Sequence, residues 1–225
     1  MRKPSESKPV CYLCGQTIEG DVSADHMPPR QFYSKEIRKL HGPNLRTLPT
    51  HLECNHSYQL DEEYFIHSLA PLALESYAGK SIFRELLSQY ERNRNTVLSK
   101  KVLNEFEERP SGLYLPSNKV VKRIDPDRIW RVAWKIIRGL FYYEHNRILP
   151  ENTRHLFKVV SPGEKPPEEF SFIPDVPIRG QYPGVFDYKY RIFPDMKNSH
   201  LWALLLWDCI IILSFFDDPE CVSYP

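Results

Sequence analysis

The fold is decided by residues 11–55, CYLCGQTIEGDVSADHMPPRQFYSKEIRKLHGPNLRTLPTHLECN. Two pairs of metal-ligand residue types stand at the outer ends of this stretch. Asp25, His26 and Asn44 lie between these pairs, and Asn55 directly follows the second pair. In chain order the four motifs are Cys11-Tyr-Leu-Cys14, Asp25-His26-Met-Pro-Pro-Arg30, Asn44-Leu-Arg46 and His51-Leu-Glu-Cys54-Asn55.

The outer pairs predict a zinc site. Cys11 and Cys14 have the separation at which two side chains bind one tetrahedral ion from a tight turn, and His51 and Cys54 repeat that separation. Together they make a Cys3His set, with His41 and His56 as alternative sources of the histidine. Four protein ligands leave no open position for substrate, so the zinc is expected to be structural and to stabilise a unit with little core of its own.

The remaining composition agrees with a metalloprotein of the cytoplasm. The chain has 225 residues and five cysteines, an odd count that favours metal binding over disulfides. Cys209 and Cys221 are interpreted as packing residues. Residues 1–8 are polar, without the apolar segment of a signal peptide, and no run of about 18 apolar residues predicts a membrane span.

Hydrophobic patterning around the motifs predicts two short strands and two helices. The strands are expected at 22–26 and 45–48, and the helices at 31–40 and 55–69. Pro28 and Pro29 should end the first strand, since proline lacks the donor that a sheet needs. Two strands that enclose a loop, followed by a helix, form the architecture that this order predicts.

The rest of the chain predicts an α+β arrangement: a mostly helical middle, then a small antiparallel sheet at the C-terminus. Asp125-Pro126 is a strong helix start, and apolar residues recur at helical spacing up to about residue 145. A long helix is predicted over 80–109, irregular structure over the proline-rich 150–182, and strands over 185–192, 201–207 and 209–216. We therefore divide the chain into 1–66, which holds the metal motifs, and 67–225.

Charge is unevenly distributed. The net charge is +1, but residues 66–150 carry 15 Lys and Arg against 9 Asp and Glu. Arg131, Lys135 and Arg138 recur three to four residues apart in the predicted helix, so this face either follows a polyanion backbone or is an ordinary solvated surface. Arg30 either contacts a phosphate or pairs with the acids at 61–63, which we interpret as a solvated first helical turn.

The order of the four motifs resembles the HNH endonuclease family, whose fold is the ββα-metal unit; the resemblance covers roughly residues 9–66. It implies that Asp25 binds a catalytic cation, that His26 is the general base, that Asn55 is the second cation ligand and that Asn44 orients His26. Carboxylate and amide oxygens suit Mg2+ or Mn2+.

The chain also departs from the family pattern. Gln59 stands where the last histidine of the family name is usual, so the resemblance assigns its metal-binding role to Asn55. Tyr58 stands where a basic residue is frequent, and the segment between Asn44 and Asn55 is longer than in many members.

The expected function is metal-dependent hydrolysis of DNA phosphodiester bonds. A divalent cation relieves charge on the phosphate and a neutral imidazole takes a proton from water. Because many small HNH proteins serve restriction or antiphage defence, the resemblance implies such a role, with targeting by residues 67–225, a partner protein or a homo-oligomer. The alternatives are an RNA-cleaving enzyme of the same fold and a zinc-knuckle adaptor that binds nucleic acid or protein without cutting.

Overall fold

A computed structural model describes residues 8–41, 45–92, 96–107, 116, 120–151, 153–171, 173–182, 184–194, 196 and 199–217. It confirms the predicted α+β class: helices dominate the middle of the chain, and an antiparallel sheet follows near the C-terminus. No helix within these ranges is both long and apolar enough to cross a lipid bilayer.

The strands are β1 (Ser23–Met27), β2 (Arg46–Thr50), β3 (Phe106–Glu107), β4 (Val121–Lys122), β5 (Arg154–Val160), β6 (Arg179–Tyr182), β7 (Phe186–Ile192), β8 (His200–Leu206) and β9 (Ile210–Asp217). The α-helices are α1 (Lys35–His41), α2 (Leu52–His56), α3 (Gln59–Leu69), α4 (Tyr77–Glu91), α5 (Thr96–Leu103) and α6 (Pro126–His145). Short 3-10 helices cover Arg30–Phe32, Ala70–Ala73, Glu168–Phe170 and Ile173–Asp175.

The N-terminal part is a hairpin followed by helices, as predicted. β1 and β2 pair antiparallel, with Asp25 opposite Leu48 and His26 opposite Thr47. β1 runs through Met27 and ends before Pro28, one residue later than expected. The predicted helix over 55–69 is instead two helices, α2 and α3, separated by Ser57 and Tyr58.

The predicted helix over 126–145 is confirmed as α6 and is the central helix of the molecule. The Asp125 side chain accepts a hydrogen bond from the Arg128 amide (3.5 Å), and Pro126 occupies the first turn, so the helix starts where the sequence indicates. Asn146 ends it in the left-handed conformation, at φ 50°. At Gly139 the helix lies against the hairpin so closely that an added Cβ would stand 2.2 Å from Met27 Cε.

The predicted long helix over 80–109 is wrong. α4 ends at Glu91, close to two asparagines at positions 93 and 95, a residue type that competes with helical hydrogen bonds through its side chain. α5 is a separate helix, and Phe106 and Glu107 pair with β4 as the short strand β3.

The C-terminal sheet has the strand order β5-β9-β8-β7-β6, all antiparallel. The predicted strands appear as β7, β8 and β9. The prediction of irregular structure over 150–182 is wrong for β5 and β6, which form the two edges of the sheet. The sequence of β5 lacks clean alternation, because the apolar residues stand in adjacent pairs, Leu156-Phe157 and Val159-Val160, and Leu156 is 72% exposed while Phe157 and Val159 pack against the core.

One hydrophobic core runs from the metal motifs to the C-terminal sheet. Trp207, in the β8–β9 turn, is fully buried and donates a hydrogen bond from Nε1 to the Phe32 carbonyl oxygen at 2.9 Å. Phe32 in turn stacks on Phe65 with ring centres 5.3 Å apart. Residues 1–66 and 67–225 therefore share packing, and their division into two domains stays a prediction.

Candidate metal centre

The four predicted zinc ligands lie together. One side-chain ligand atom from each of Cys11, Cys14, His51 and Cys54 falls within 4.8 Å of the others, and we call this group the sulfur cluster. His51 Nδ1 lies 3.4 Å from Cys14 Sγ and 3.8 Å from Cys54 Sγ. Tetrahedral zinc, with bonds of about 2.0–2.3 Å, holds its ligand atoms roughly 3.5 Å apart. The sulfur cluster therefore has the spacing to hold a zinc ion, with His51 rather than the exposed His56 as its histidine.

A tight turn and the end of β2 position these ligands. The Gly15 amide donates to the Cys11 carbonyl oxygen at 2.8 Å, and Gly15 has a φ of 75°, a conformation that favours glycine. The Tyr12 amide donates to the Pro49 carbonyl oxygen at 3.2 Å, which holds the turn against β2. His51 directly follows β2, and Cys54 lies in the first turn of α2.

Electrostatics in the sulfur cluster favour a bound cation. Burial acts to raise the pKa of the Cys11 thiol, but hydrogen bonds from the Thr50 hydroxyl and from backbone amides outweigh it and lower that pKa to about 6. Burial and the neighbouring Cys11 and Cys14 raise the pKa of Cys54 to about 12. Adjacent thiolates repel each other, and a divalent cation removes that repulsion by binding all three.

A second group of charged and polar side chains lies on the other side of Tyr12, around a fully buried lysine. Lys135 Nζ on α6 lies 2.8 Å from Asp25 Oδ2, 2.5 Å from Glu62 Oε1 and 3.2 Å from Asn55 Oδ1. We call Asp25, Asn55, Glu62 and Lys135 the Lys135 cluster. Three oxygen atoms from β1, α2 and α3 thus meet at one positive charge.

Neighbouring side chains fix those oxygens. Tyr12 donates to Asp25 Oδ2 at 2.5 Å, and Gln31 Nε2 donates to Glu62 Oε2 at 3.3 Å. Asn55 Nδ2 donates to Ser23 Oγ at 3.4 Å, which turns its carbonyl oxygen towards Lys135. Burial raises the pKa of Glu62, and the charge of Lys135 opposes that shift. Tyr12 joins the two groups, since it follows Cys11 directly and holds Asp25.

His26 occupies the other face of β1. Side chains alternate along a strand, and β1 continues through Met27, so Asp25 is buried while His26 is half-buried on the opposite side. β1 continues one residue beyond its predicted end at His26, so the Asp25 and His26 side chains leave opposite faces of the strand. Burial and the charge of Arg30 lower the pKa of His26, and the Asp25 carboxylate acts in the opposite direction. The lowered pKa favours the neutral imidazole, the form that accepts a proton.

The prediction that Arg131, Lys135 and Arg138 form a solvent-facing row on α6 is wrong for two of the three residues. Lys135 is 0% exposed and Arg138 is 3% exposed, because α6 packs on α3 and on the hairpin with this face inward. Arg131 is half-exposed, and its Nη1 lies 2.9 Å from Asp61 Oδ2. Arg30 is exposed at the start of the 3-10 helix Arg30–Phe32. Asn44 and Cys221 lie outside the described residues, so their predicted roles have no structural outcome.

Glu62 and the inward position of Lys135 were not predicted from the sequence. The acids at 61–63 were expected to be solvated, whereas Asp61 and Glu62 are 9% and 8% exposed. The sequence does hold a signal for this burial: Lys135 falls within the apolar stripe of α6, between Ala133 and Ile136. A lysine in a buried stripe needs a carboxylate partner, because an unpaired buried charge is costly.

Comparisons of this chain with protein-family models, with curated proteins and with solved structures give no match. The resemblance to the HNH family therefore stays a prediction that depends on the motifs themselves.

Proposed function

We propose that this chain is a metal-dependent nuclease that hydrolyses DNA phosphodiester bonds beside the β1–β2 hairpin. The observation that supports the proposal is the convergence of Asp25 Oδ2 and Asn55 Oδ1, which lie 2.8 Å and 3.2 Å from one buried ammonium. Two hard oxygen ligands are thus directed at a position that already holds positive charge, next to a structural metal cluster.

In this proposal each group has one task. Zinc in the sulfur cluster fixes the turn at Cys11–Gly15 against β2 and so fixes Tyr12, which holds Asp25. Asp25 and Asn55 would hold Mg2+ or Mn2+, and that cation would supply charge neutralisation at the phosphate and at the leaving oxygen. His26 accepts the proton of the attacking water, a role that its lowered pKa favours. Because the His26 side chain leaves the face of β1 opposite to Asp25, the phosphate has to reach both side chains where the strand ends at Met27.

The exposed cations Arg30 and Arg131 are the proposed contacts to the phosphate backbone. Arg30 lies four residues beyond His26, and Arg131 lies on α6 one turn before Lys135. The resemblance to HNH proteins suggests a role in restriction or antiphage defence, with targeting by residues 67–225, a partner protein or a second copy of the chain. RNA is the alternative substrate of the same chemistry.

A non-catalytic adaptor is the second candidate, and one observation favours it. Asp25 is only 5% exposed, and its Oδ2 binds both Lys135 and Tyr12. A carboxylate that is paired in this way stabilises the fold without any reaction. In an adaptor the sulfur cluster would stabilise the hairpin, and the exposed segment around Arg30 that follows β1 would bind nucleic acid or protein.

A cleavage assay distinguishes the two candidates. Zinc-loaded protein is incubated with supercoiled plasmid, and in parallel with an RNA transcript, in Mg2+ or Mn2+. A nuclease nicks or linearises the plasmid, and His26→Ala lowers the rate by about 100-fold or more, the usual contribution of a general base. His41→Ala, at an exposed histidine on α1, is the matched control and keeps the activity. Cleavage of the transcript alone would assign RNA as the substrate, and binding without cleavage of either would favour the adaptor.

A further inference from the structure

The charges of the Lys135 cluster do not balance. Two carboxylates, Asp25 and Glu62, face one ammonium, and all three side chains are at least nine-tenths buried. Asn55 adds a carbonyl oxygen, and Tyr12 and Gln31 add hydrogen bonds to the carboxylates without adding charge. With both carboxylates ionised these four side chains carry a formal charge of −1, and the compensating charge lies in a separate, more exposed group, where Arg128 and Arg131 share Asp61.

The oxygen atoms form the kind of set that binds a hard divalent cation. Two carboxylates and an amide oxygen come from three different elements, β1, α3 and α2, and meet within 3.2 Å of one point. Mg2+ and Mn2+ bind such oxygen sets. A divalent ion at that point would replace one positive charge with two and would change the formal charge of the three oxygen ligands and their cation from −1 to 0.

We infer that Lys135 is the resident cation of this site and that Glu62 is a third oxygen ligand beside Asp25 and Asn55. A divalent cation then binds by displacing the Lys135 ammonium, so that the lysine lowers the affinity for metal and keeps the oxygens in position without it. This inference rests on the proposed function for the metal role of Asp25 and Asn55 and adds two residues to it.

The test measures stability rather than activity. Lys135→Met removes the ammonium and keeps the length of the side chain. It leaves two buried carboxylates unpaired, so the melting temperature in zinc-containing, Mn2+-free buffer should fall by about 10 °C. Millimolar Mn2+ should then restore at least half of that loss, because an ion that binds only the folded state stabilises it. Wild-type protein should respond much less to Mn2+, since its own lysine competes.

A second buried lysine provides the matched control. Lys122 pairs with Glu105, and its side chain is 6% exposed, but it lies on β4, away from the β1–β2 hairpin. Lys122→Met should also lower the melting temperature, and Mn2+ should not restore it. The double variant Lys135→Met/Glu62→Gln removes one lysine and one acid, so the Mn2+ response should disappear.

The inference is overturned if Lys135→Met melts at the same temperature with and without Mn2+. If that variant does not fold, Glu62→Gln in the presence of Lys135 replaces it, since Asp25 and Lys135 remain a neutral pair. This variant should bind Mn2+ at least tenfold more weakly than wild type, as followed by the electron paramagnetic resonance of free Mn2+. Equal affinities would remove Glu62 from the site.

Failure of the inference differs from failure of the proposed function. Nuclease activity that depends on His26, together with a Lys135→Met variant that ignores Mn2+, would keep the nuclease and discard the displaced lysine. Restoration by Mn2+ without cleavage of DNA or RNA would establish the three-oxygen metal site and discard the nuclease.

Discussion

The sulfur cluster and the Lys135 cluster lie on either side of Tyr12 and stabilise the same hairpin by different means. The sulfur cluster consists of four electron-pair donors, three of them thiols, and gains from a cation supplied from outside. The Lys135 cluster contains its own cation, contributed by α6. This difference predicts that removal of metal should affect the two clusters unequally. The sulfur cluster would lose the cation that holds its thiolates together, while the Lys135 cluster would keep its lysine.

Removal of zinc should have the largest effect. Structural zinc contributes roughly 10–16 kcal/mol of apparent binding free energy in small zinc domains, which equals or exceeds the roughly 5–15 kcal/mol by which an ordinary domain is stable. We therefore expect a strong chelator, or Cys54→Ala, to unfold the part of the chain around the hairpin. Loss of circular dichroism at 222 nm and new protease cleavage within residues 8–69 would show it.

Cys209 supplies the control for that experiment. It lies in the β8–β9 turn, away from the sulfur cluster, with its Sγ 3.8 Å from the Ala73 carbonyl oxygen. Cys209→Ser should keep one zinc per chain by elemental analysis, whereas Cys54→Ala should lose it. A protein that stays folded and protease-resistant after complete removal of zinc would contradict the structural role of the sulfur cluster.

Neutralising one carboxylate of the Lys135 cluster should have a smaller effect. Asp25→Asn keeps the shape of the side chain but removes a charge that pairs with Lys135 at 2.8 Å. Glu62 still pairs with the lysine, but an amide oxygen accepts more weakly than a carboxylate from both Lys135 and Tyr12. We expect this loss to outweigh the relief of negative charge and to cost about 2–4 kcal/mol, a fall of roughly 5–10 °C in melting temperature by differential scanning calorimetry. The zinc content should stay at one per chain.

An exposed ion pair is the reference for that change. Lys8 and Glu19 form an ion pair whose side chains are 62% and 71% exposed, so Glu19→Gln should leave the melting temperature nearly unchanged. If Asp25→Asn also releases zinc, the two clusters are coupled through Tyr12 and do not stabilise the hairpin independently.

The contrast between the clusters also explains what the sequence could predict. The sulfur cluster is built from two pairs, each spanning four residues, and the hairpin brings the pairs together. Spacing alone therefore identified the three cysteines and favoured His51, while the structure decided between His51 and the alternatives His41 and His56. Glu62 and Lys135 are separated by 73 positions, and only the packing of α6 on α3 unites them. No local pattern records that contact, and for this reason Lys135 was expected at a nucleic-acid surface.

The fold shows the same contrast between local sequence signals and contacts between distant segments. α6 was predicted to its last residue because capping residues and an apolar stripe are local signals. β5 was missed because it pairs at the sheet edge with β9, about 55 residues later, and exposes Leu156. Interactions between distant segments therefore account for most of what spacing and periodicity could not predict.

Acid should destabilise the protein, and part of the loss should come from a histidine outside both clusters. Burial, helped by the charges of His145 and Arg147, lowers the pKa of His200 to about 3, whereas the unfolded chain titrates near 6.5. Between these values the unfolded state binds more protons, so the free energy of unfolding falls as pH falls from 6.5. Above pH 6.5 the residue is neutral in both states and contributes nothing.

His200→Gln separates this contribution from acid release of zinc. Glutamine does not titrate and can accept the hydrogen bond that Trp202 Nε1 now donates to His200 Nδ1. Urea unfolding at pH 7.5, 6, 5 and 4 should show a shallower decline for the variant, by on the order of a few kcal/mol at pH 4. An exposed histidine, His56→Gln, should keep the wild-type slope. Parallel curves for wild type and His200→Gln would remove His200 as a source of the acid loss and leave the sulfur cluster and His67, whose pKa burial lowers to about 4.

The smallest expected effect concerns the outer edge of the Lys135 cluster, where α6 emerges from the interior. Arg131 is 47% exposed at its side chain and shares Asp61 with Arg128, so it is the cation of the expected basic face that still reaches solvent. If DNA lies along this edge, Arg131→Gln should weaken binding by about two- to fivefold and reduce the salt dependence of the affinity by about one ion. Fluorescence anisotropy at several salt concentrations measures both quantities, and Lys165→Gln, at an exposed lysine outside α6, controls for net charge. An unchanged affinity with an unchanged salt slope would mean that Arg131 serves only to hold Asp61, and that α6 contributes its charges entirely to the inside of the molecule.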